Sequence, residues 1–426
     1  MSTRLLLELP RNYAEGKRSG IVSICSAHPL VIEAALLDGV ERGQPVLIEA
    51  TCNQVNQEGG YTGMTPADFR AFVEGIAQKV GFSLDNLILG GDHLGPNPWK
   101  HLPAEDALAR ARVMVADFAR AGFTKLHLDT SMGCLGEPLA LPDELTALRA
   151  ADLAAAAESA LAAGAERPVY VIGTEVPIPG GALEALDHVE VTKPGAARGT
   201  VDVHRHAFAE RGLSDALSRV IAIVVQPGVE FGNDDLVIYD RARSRDLVAV
   251  LADKPQVVFE AHSTDYQSLE ALAGLVADGF SILKVGPALT FALREAFYGL
   301  DRIALELRLI SPHQAVSTAM EAAMVSDPSA WEKYYPGDAH QQYLQRHFSL
   351  SDRIRYYWPS ESAMEAADRL LEVLGEREIP VPLVSQYLGA SPAATFSYTG
   401  DRQARTLVLL AVRRVIDGYQ TAIRAP

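Results

Sequence analysis

The alternation of eight short apolar runs with longer segments of helical periodicity constrains the fold of this chain more than any other feature. Alternating strands and helices predict a parallel sheet with right-handed crossovers. A doubly wound sheet usually stops near six strands, whereas eight parallel strands close into a barrel. We therefore predict an α/β fold, a TIM (β/α)8 barrel. The predicted strands are Ile21–Cys25, Val46–Ala50, Leu87–Gly91, Lys125–Asp129, Val169–Thr174, Val220–Val225, Val257–Ala261 and Ile282–Val285.

The segments between these strands carry apolar residues at helical spacing. They are Pro29–Arg42, Thr65–Val80, Ala104–Ala121, Leu145–Ala163, Asp240–Leu251 and Tyr266–Ala277. After Pro287 the pattern changes to helices alone. These are Ile303–Leu309, Gln314–Val325, Ala363–Leu374 and Gln403–Ile423. We predict a barrel over residues 1–300 that carries the site, and an α-helical C-terminal extension over residues 301–426 that packs on it.

Composition excludes several classes of protein. The 426-residue chain has a formal net charge of -16, which argues against nucleic acid or an anionic membrane as the main partner. The three cysteines form no CxxC pair, so we expect neither a disulfide framework nor a four-cysteine zinc site. No apolar run is long enough to span a membrane. We expect a cytoplasmic protein, and the sequence leaves its oligomeric state open.

Polar residues gather where the predicted strands end, the position of active sites in a TIM barrel. The segment GGDHLGPNPW (Gly90–Trp99) is the sharpest local signal. Its first two glycines allow close approach of the backbone, and Asp92 with His93 offers an acid/base group beside a metal ligand. The alternative is a histidine that is hydrogen-bonded to a carboxylate in a tight turn.

Two further pairs lie on shared faces of their strands, because side chains two residues apart point the same way. They are His127 with Asp129 and Glu260 with His262. His93 and His262, with Glu260 or Glu175 as the carboxylate, would form a site for a divalent metal, Zn²⁺ or Mn²⁺. An ordinary hydrogen-bonded pair of Glu260 and His262 is equally compatible with the spacing.

A phosphate site is predicted where LKVGPALTFALRE (Leu283–Glu295) passes from a strand through a turn into a helix. The free N–H groups at the helix start, near Gly286, attract anions, and Lys284 adds positive charge. Alternatively, Lys284 is paired with a neighbouring carboxylate. Gln54 and Ser263, at the ends of the second and seventh strands, complete the set of predicted substrate contacts.

Two segments outside the strands are further candidates. In SLSDRIRYYWP (Ser349–Pro359), Arg353 and Arg355 flank an aromatic cluster and would close over a phosphate, although a domain interface fits the pattern equally well. The glycine-rich segment Gln57–Thr65 is typical of a mobile lid or of a plain connection. The sequence contains no Walker A, GxGxxG, GxSxG or protein-kinase motif, so we predict no nucleotide cofactor.

Eight motifs in one order resemble the Z-type subunit of tagatose-bisphosphate aldolase, the GatZ/KbaZ family. They are CSAHPLVIEAAL (Cys25–Leu36), LIEATCNQVNQEGGYTGMTPADF (Leu47–Phe69), LGGDHLGPNPW (Leu89–Trp99), IGTEVPIPGG (Ile172–Gly181), VVQPGVEF (Val224–Phe231), FEAHSTDYQ (Phe259–Gln267), LKVGPALTFALREA (Leu283–Ala296) and SLSDRIRYYWP. The resemblance implies a TIM barrel that acts in galactitol or tagatose catabolism on a phosphorylated ketohexose. It also implies a likeness to class II aldolases, in which an Asp-His pair supplies an acid/base and a metal ligand, as Asp92 and His93 would here.

The family resemblance implies two alternative activities. Some members are accessory subunits of a class II aldolase Y-type subunit, and others are 4-epimerases that interconvert tagatose 6-phosphate and fructose 6-phosphate. An older kinase label lacks a nucleotide motif here. We favour the epimerase because charged residues persist at the strand ends, where burial without use is costly. We expect Asp92, Glu175 and Asp129 to transfer protons and His93, Glu260 and His262 to hold the metal.

Overall fold

Eight parallel strands close into a barrel in the computed structural model, which describes residues 2–174, 189–389 and 401–424. The barrel strands are β1 (Ile21–Cys25), β2 (Val46–Thr51), β3 (Leu87–Leu94), β4 (Lys125–Leu128), β5 (Val169–Ile172), β6 (Val220–Val225), β9 (Val258–Ala261) and β10 (Phe280–Val285). Their order is β1-β10-β9-β6-β5-β4-β3-β2, and β1 pairs with both β10 and β2 to close the ring. The predicted TIM barrel and all eight predicted strands are confirmed. Two short strands, β7 (Glu230–Phe231) and β8 (Leu236–Val237), form a separate antiparallel ribbon.

Helices cover the outside of the barrel. They are α2 (Pro29–Arg42), α3 (Pro66–Val80), α4 (Ala104–Arg120), α5 (Asp143–Ala160), α6 (Pro194–Glu210), α7 (Ser214–Leu217), α8 (Arg241–Val248), α9 (Val250–Asp253), α10 (Leu269–Ala277) and α11 (Pro287–Glu306). Local sequence sets their ends. Helix α3, for example, starts at a reciprocal capping pair of Thr65 and Asp68 and ends at Gly81, which has a φ of 73°. None of the helices in these ranges, or elsewhere in the described chain, combines the length and apolar character that a membrane crossing requires.

An N-terminal helix that the sequence analysis did not predict, α1 (Ser2–Ala14), closes the amino end of the barrel. Its Leu6 and Leu9 are buried in a second apolar cluster with residues from the starts of the strands, such as Ile21, Ile88 and Val258. The apolar stretch of α1 is short, and the helix is stabilised mainly by this packing. Because α1 covers one end, the carboxyl ends of the strands form the accessible mouth.

The C-terminal region contains α12 (Val316–Ser326), α13 (Ala339–Phe348), α14 (Glu361–Leu374), α15 (Val381–Leu388) and α16 (Ala404–Arg424). Helix α16 packs against α2, α10 and α11 and touches β1, so it joins the outer layer of the barrel. The prediction of a separate helix that starts at Ile303 is wrong, because this residue lies within α11. A continuous buried stripe on α11 includes Leu293, Phe297, Leu300 and Ala304. The division of the chain at residue 300 stays a prediction.

Candidate active site at the mouth of the barrel

Three imidazole rings converge at the carboxyl ends of the strands. They belong to His93 on β3, His127 on β4 and His262 directly after β9, and their ring centroids are 4.9 to 5.2 Å apart. All three are buried, and one potential ligand atom from each, together with one from Asp92, lie within 4.8 Å of one another. The sequence predicts His93 and His262 as ligands at this position. The strand pattern predicts the face on which His127 lies but not a ligand role for it.

A β-bulge explains how adjacent residues Asp92 and His93 both face the site, although neighbours on a regular strand point to opposite faces. Between Gly91 and Leu94, β3 gains one residue against β4. His93 has a φ of 49°, a conformation that bulges at active sites use to redirect a side chain. The glycines before it allow close packing, as predicted, because a Cβ on Gly90 would lie 2.6 Å from Glu49 Cγ.

Each imidazole is held by its own carboxylate. The pairs are His127 Nδ1 with Asp92 Oδ1 (2.9 Å), His93 Nδ1 with Asp129 Oδ2 (2.8 Å) and His262 Nε2 with Glu260 Oε1 (2.9 Å). The His93 backbone N–H also lies 3.2 Å from His127 Nδ1. Because the Asp92 carboxylate is closer to His127 Nδ1, it favours a proton on this ring nitrogen. A carboxylate partner on one ring nitrogen leaves the opposite nitrogen as a lone-pair donor, the arrangement found around metal-binding histidines.

The unpartnered nitrogen of His127 tests whether these residues fit a metal ion. His127 Nε2 is buried and has no hydrogen-bond partner among the described residues. A buried polar atom without a partner is costly, and a neutral imidazole nitrogen beside two other imidazoles suits a divalent metal such as Zn²⁺. The residues present therefore fit the predicted metal, with His127 added to His93 and His262.

Glu260, predicted as a metal ligand, has both oxygens close to other groups. Oε1 lies 2.9 Å from His262 Nε2, and Oε2 lies 2.7 Å from Lys125 Nζ. Its oxygens are not among the ligand atoms that converge with the three imidazoles. The geometry matches the alternative of a hydrogen-bonded Glu260–His262 pair, in which Glu260 orients the ring.

A layer of buried charges lies beneath the imidazoles. Lys125 Nζ lies 2.7 Å from both Glu49 and Glu260, and Lys284 Nζ lies 2.7 Å from both Glu49 and Asp92. Burial alone would lower the pKa of both lysines and raise that of Glu260, but the opposite charges reverse each shift. Lys284 is therefore paired with carboxylates, the alternative that the sequence had left open.

Asp92 stays ionised in this layer. Burial would raise its pKa, but His93, Lys284 and the hydrogen bond from His127 hold the pKa well below its usual range. Its Oδ1 contacts His127 and Lys284, and its Oδ2 lies 3.8 Å from His93 Nε2. Asp92 thus presents an ionised oxygen at the site.

A pocket of about 100 Å³ opens above the imidazoles. Its lining includes the predicted residues Gln54, Asp92, His93, His262, Ser263, Lys284, Gly286 and Arg355, and also Tyr61, Asp265 and Tyr356. A larger groove of about 1230 Å³ runs along α11 between α12 and α16, but none of the predicted site residues that the structure describes lines it. The smaller pocket is the candidate active site, because His93 and His262 line it.

Comparison with known proteins places this chain in a family. The family described as "D-tagatose-1,6-bisphosphate aldolase subunit GatZ/KbaZ-like" matches residues 6–424. The chain belongs to the GatZ/KbaZ-like family. A relative from Agrobacterium fabrum, named D-tagatose 6-phosphate 4-epimerase, is 52% identical over 421 residues, which cover 99% of this chain and 98% of the relative. A crystal structure from Sinorhizobium meliloti 1021, described as a probable tagatose 6 phosphate kinase, is 56% identical with a TM-score of 0.88, and the match covers 95% of this chain and all of that one.

Besides Glu260, two predicted residues of this GatZ/KbaZ-like chain do not line the pocket. Arg353 was predicted to bind phosphate, but its guanidinium donates to the Ala330 carbonyl and lies 3.3 Å from the centre of the Tyr334 ring. Asp129 holds His93 and accepts from Ser131 rather than lining the pocket. Glu175 lies outside the described residues.

The predicted anion site at the start of α11 already contacts a carboxylate. The backbone N–H groups of Gly286 and Ala288 donate to Asp265 Oδ1 at 3.0 and 2.8 Å. Arg355 differs from Lys284, because its guanidinium donates to the carbonyl oxygens of Ser351 and Asp352 and to the Tyr356 hydroxyl, none of which is anionic. The sequence analysis did not assign Asp265. Its only signal was an acidic residue close after the seventh predicted strand.

Proposed function

We propose that this chain is a 4-epimerase that interconverts D-tagatose 6-phosphate and D-fructose 6-phosphate by metal-assisted retro-aldol chemistry. The observation that carries the proposal is the set of three carboxylate-held imidazoles, one with an unpartnered nitrogen, beside a pocket that Asp92 and Arg355 line. The name of the Agrobacterium relative supports the same reaction and substrate.

The position of C4 in a 2-ketose decides the chemistry. The hydrogen on C4 is not adjacent to the C2 carbonyl, so its simple removal would leave an unstabilised carbanion. Cleavage of the C3–C4 bond avoids this, because the electron pair stays on the carbon next to the carbonyl while the C4 hydroxyl loses its proton and becomes an aldehyde. Rotation of the aldehyde and reformation of the same bond invert C4 and return the proton.

The residues of the chain have separate parts in this reaction. His93, His127 and His262 would hold the predicted divalent cation, Zn²⁺ or Mn²⁺. Imidazole ligands suit Zn²⁺, whereas Mn²⁺ prefers oxygen ligands. Such an ion supplies Lewis-acid stabilisation of the negative charge that develops on the ketose oxygens during cleavage. Asp92 Oδ2 accepts the proton of the C4 hydroxyl and returns it. Glu175 remains our predicted second proton-transfer group on the opposite face.

The remaining pocket residues bind and orient the ketose. Arg355, which no carboxylate in the described part of the chain neutralises through a hydrogen bond, would bind the phosphate together with the adjacent Tyr356 hydroxyl. Tyr61 lies edge-on to Tyr356 with ring centroids 5.1 Å apart, and both rings would exclude water from the sugar. Gln54 and Ser263 would contact the hydroxyl groups. Asp129 would position His93 without touching the substrate.

Two other activities come from the names of relatives. The family description names an aldolase subunit, and our second candidate is therefore the accessory role, a non-catalytic subunit that stabilises a class II aldolase Y-type subunit. The kinase described for the Sinorhizobium structure is not proposed here, because this sequence contains no phosphate-binding GxxxxGK[ST] loop.

The test is to incubate the purified chain alone with D-fructose 6-phosphate, with and without a chelator, and to follow the sugar by NMR. We expect chelator-sensitive formation of D-tagatose 6-phosphate. Asp92→Asn should lower the rate at least about 100-fold, the usual scale of general acid–base catalysis, whereas Asp117→Asn on the outer face of α4 should not. No turnover by the chain alone, combined with rescue of an unstable partner aldolase, would establish the accessory role instead.

A further inference from the structure

A second phosphate on the ketose would have one obvious place to bind in a TIM barrel. Phosphate groups often bind beside the last two strands, where the N–H groups at a helix start face the mouth. In this chain that place is the start of α11 after β10. Asp265 accepts hydrogen bonds there from Gly286 and Ala288, and its buried side chain lines the substrate pocket.

The loop that carries Asp265 is fixed in place. Ser263 and Tyr266, on either side of Asp265, have φ values of 54° and 63°. Residues other than glycine adopt such backbone angles only where the surroundings enforce them. Thr264 Oγ1 donates to the Lys284 carbonyl at 2.6 Å, and the Tyr266 hydroxyl donates to the Leu350 carbonyl at 2.6 Å. Movement of the loop that carries Asp265 away from α11 would therefore break these contacts as well as the two hydrogen bonds that Asp265 accepts.

The charges around the pocket fit one phosphate rather than two. Lys284 is neutralised by Glu49 and Asp92, so among the lysine and arginine side chains that the described pocket presents, Arg355 alone has no carboxylate within hydrogen-bonding distance. A second phosphate would meet the Asp265 carboxylate at the start of α11. An uncharged hydroxyl at the same place would instead donate a hydrogen bond to Asp265.

We propose that Asp265 determines specificity by limiting this pocket to ketoses that carry a single phosphate, because its carboxylate takes the helix start that a second phosphate needs. This inference rests on the proposed function in taking a phosphorylated ketose as the ligand. It distinguishes this chain from a protein that binds a 1,6-bisphosphate through the same two strands.

The experiment measures binding rather than turnover. Dissociation constants of D-fructose 6-phosphate and D-fructose 1,6-bisphosphate are determined by calorimetry on the metal-loaded wild type and on Asp265→Asn, at one metal concentration. A pH of 8 keeps Asp265 ionised, because burial raises its pKa to about 6. We expect the wild type to bind the monophosphate about 100-fold more tightly than the bisphosphate, the scale of like-charge juxtaposition in a buried site. In the variant, this ratio of dissociation constants should fall by at least about tenfold.

Asp301→Asn is the matched control. Asp301 also holds a helix start, because it accepts from the N–H groups of Val316 and Ser317 at 2.9 Å each, but it lies outside the substrate pocket. This variant should have the wild-type preference. Asparagine at residue 265 keeps an acceptor oxygen for α11, and a thermal melt confirms that the variant is folded.

The outcomes separate this inference from the proposed function. Equal affinity of the wild type for both sugars, or an unchanged preference in folded Asp265→Asn, would overturn the role of Asp265 even if the enzyme epimerises its substrate. Should Asp265→Asn not fold, the wild-type affinities alone still decide between the two sugars. A wild type that prefers the monophosphate but never forms D-tagatose 6-phosphate would refute the epimerase and leave the specificity inference standing.

Discussion

Lys125 is the most deeply buried cation of the site, and its removal tests whether the charge layer is a true ion-pair network. Its ammonium lies 2.7 Å from Glu49 and 2.7 Å from Glu260, and all three side chains are fully buried. In Lys125→Met, which keeps a similar length and loses the charge, Glu260 would have only Lys284 at 3.8 Å as a lysine partner. Removal of one partner of a buried pair costs about 3–5 kcal/mol, which we expect for this variant.

Urea denaturation at pH 7, followed by circular dichroism, measures this loss. The folded-state pKa of Glu260 is depressed, so its ion pairs contribute stability above the unfolded pKa of about 4.3, and that contribution is lost as pH falls through the folded value. The cost of Lys125→Met should therefore be smaller at pH 4 than at pH 7. The double variant Lys125→Met/Glu49→Gln removes one charge of each sign and should recover part of the loss.

Lys254→Met is the control for this experiment, since Lys254 pairs with the half-exposed Asp202 at the surface. An exposed pair of this kind contributes no more than about 1 kcal/mol. If Lys125→Met is as mild as Lys254→Met, or if the double variant is less stable than the single one, the charge-balance reasoning is refuted.

Two further predictions concern other buried groups. His127→Gln should weaken binding of a divalent metal, which is measured as metal content after dialysis. The loss should exceed the roughly 10- to 100-fold that removal of a hydrogen-bond partner of a ligand costs. Full retention of the metal would exclude His127 as a ligand. Burial raises the pKa of Glu230 to about 7, so the wild type loses stability as pH rises from the unfolded pKa of about 4.3 to about 7. Glu230→Gln should thus be more stable than the wild type by about 3 kcal/mol at pH 8 and no more stable at pH 4, and equal urea midpoints at pH 8 would contradict this.

The barrel could be predicted because each strand is a continuous apolar run between amphipathic helices, a signal that is local in sequence. The same locality placed His127 and Asp129 on one face of a strand. The role of His127 could not be predicted, because it depends on the extra residue of β3 between Gly91 and Leu94, which aligns His93 with β4. The only local trace of that bulge is the glycine pair before Asp92.

The two arginines of the C-terminal region show a second limit. Arg353 and Arg355 alternate in sequence, and in an extended segment both would face the pocket. The structure instead has a 3₁₀ turn at Arg353–Tyr357, in which residues two apart point in different directions. Arg355 therefore lines the pocket while Arg353 turns to Tyr334. Asp265 was missed for a related reason, since its partners at the start of α11 lie more than 20 residues along the chain.

The buried charges around the imidazoles explain why this site is suited to a doubly charged cation. Directly around the imidazoles, leaving aside Asp265 and Arg355 of the outer pocket, the described residues include four buried carboxylates and two buried ammonium groups, those of Glu49, Asp92, Asp129 and Glu260 and those of Lys125 and Lys284. Two negative charges remain, which is expensive in a low-dielectric interior. The field of these groups also acts on His93, whose pKa burial would lower but which Asp92 and Asp129 raise. A divalent ion held by the three imidazoles would balance these two charges, whereas one protonated histidine would balance only one of them.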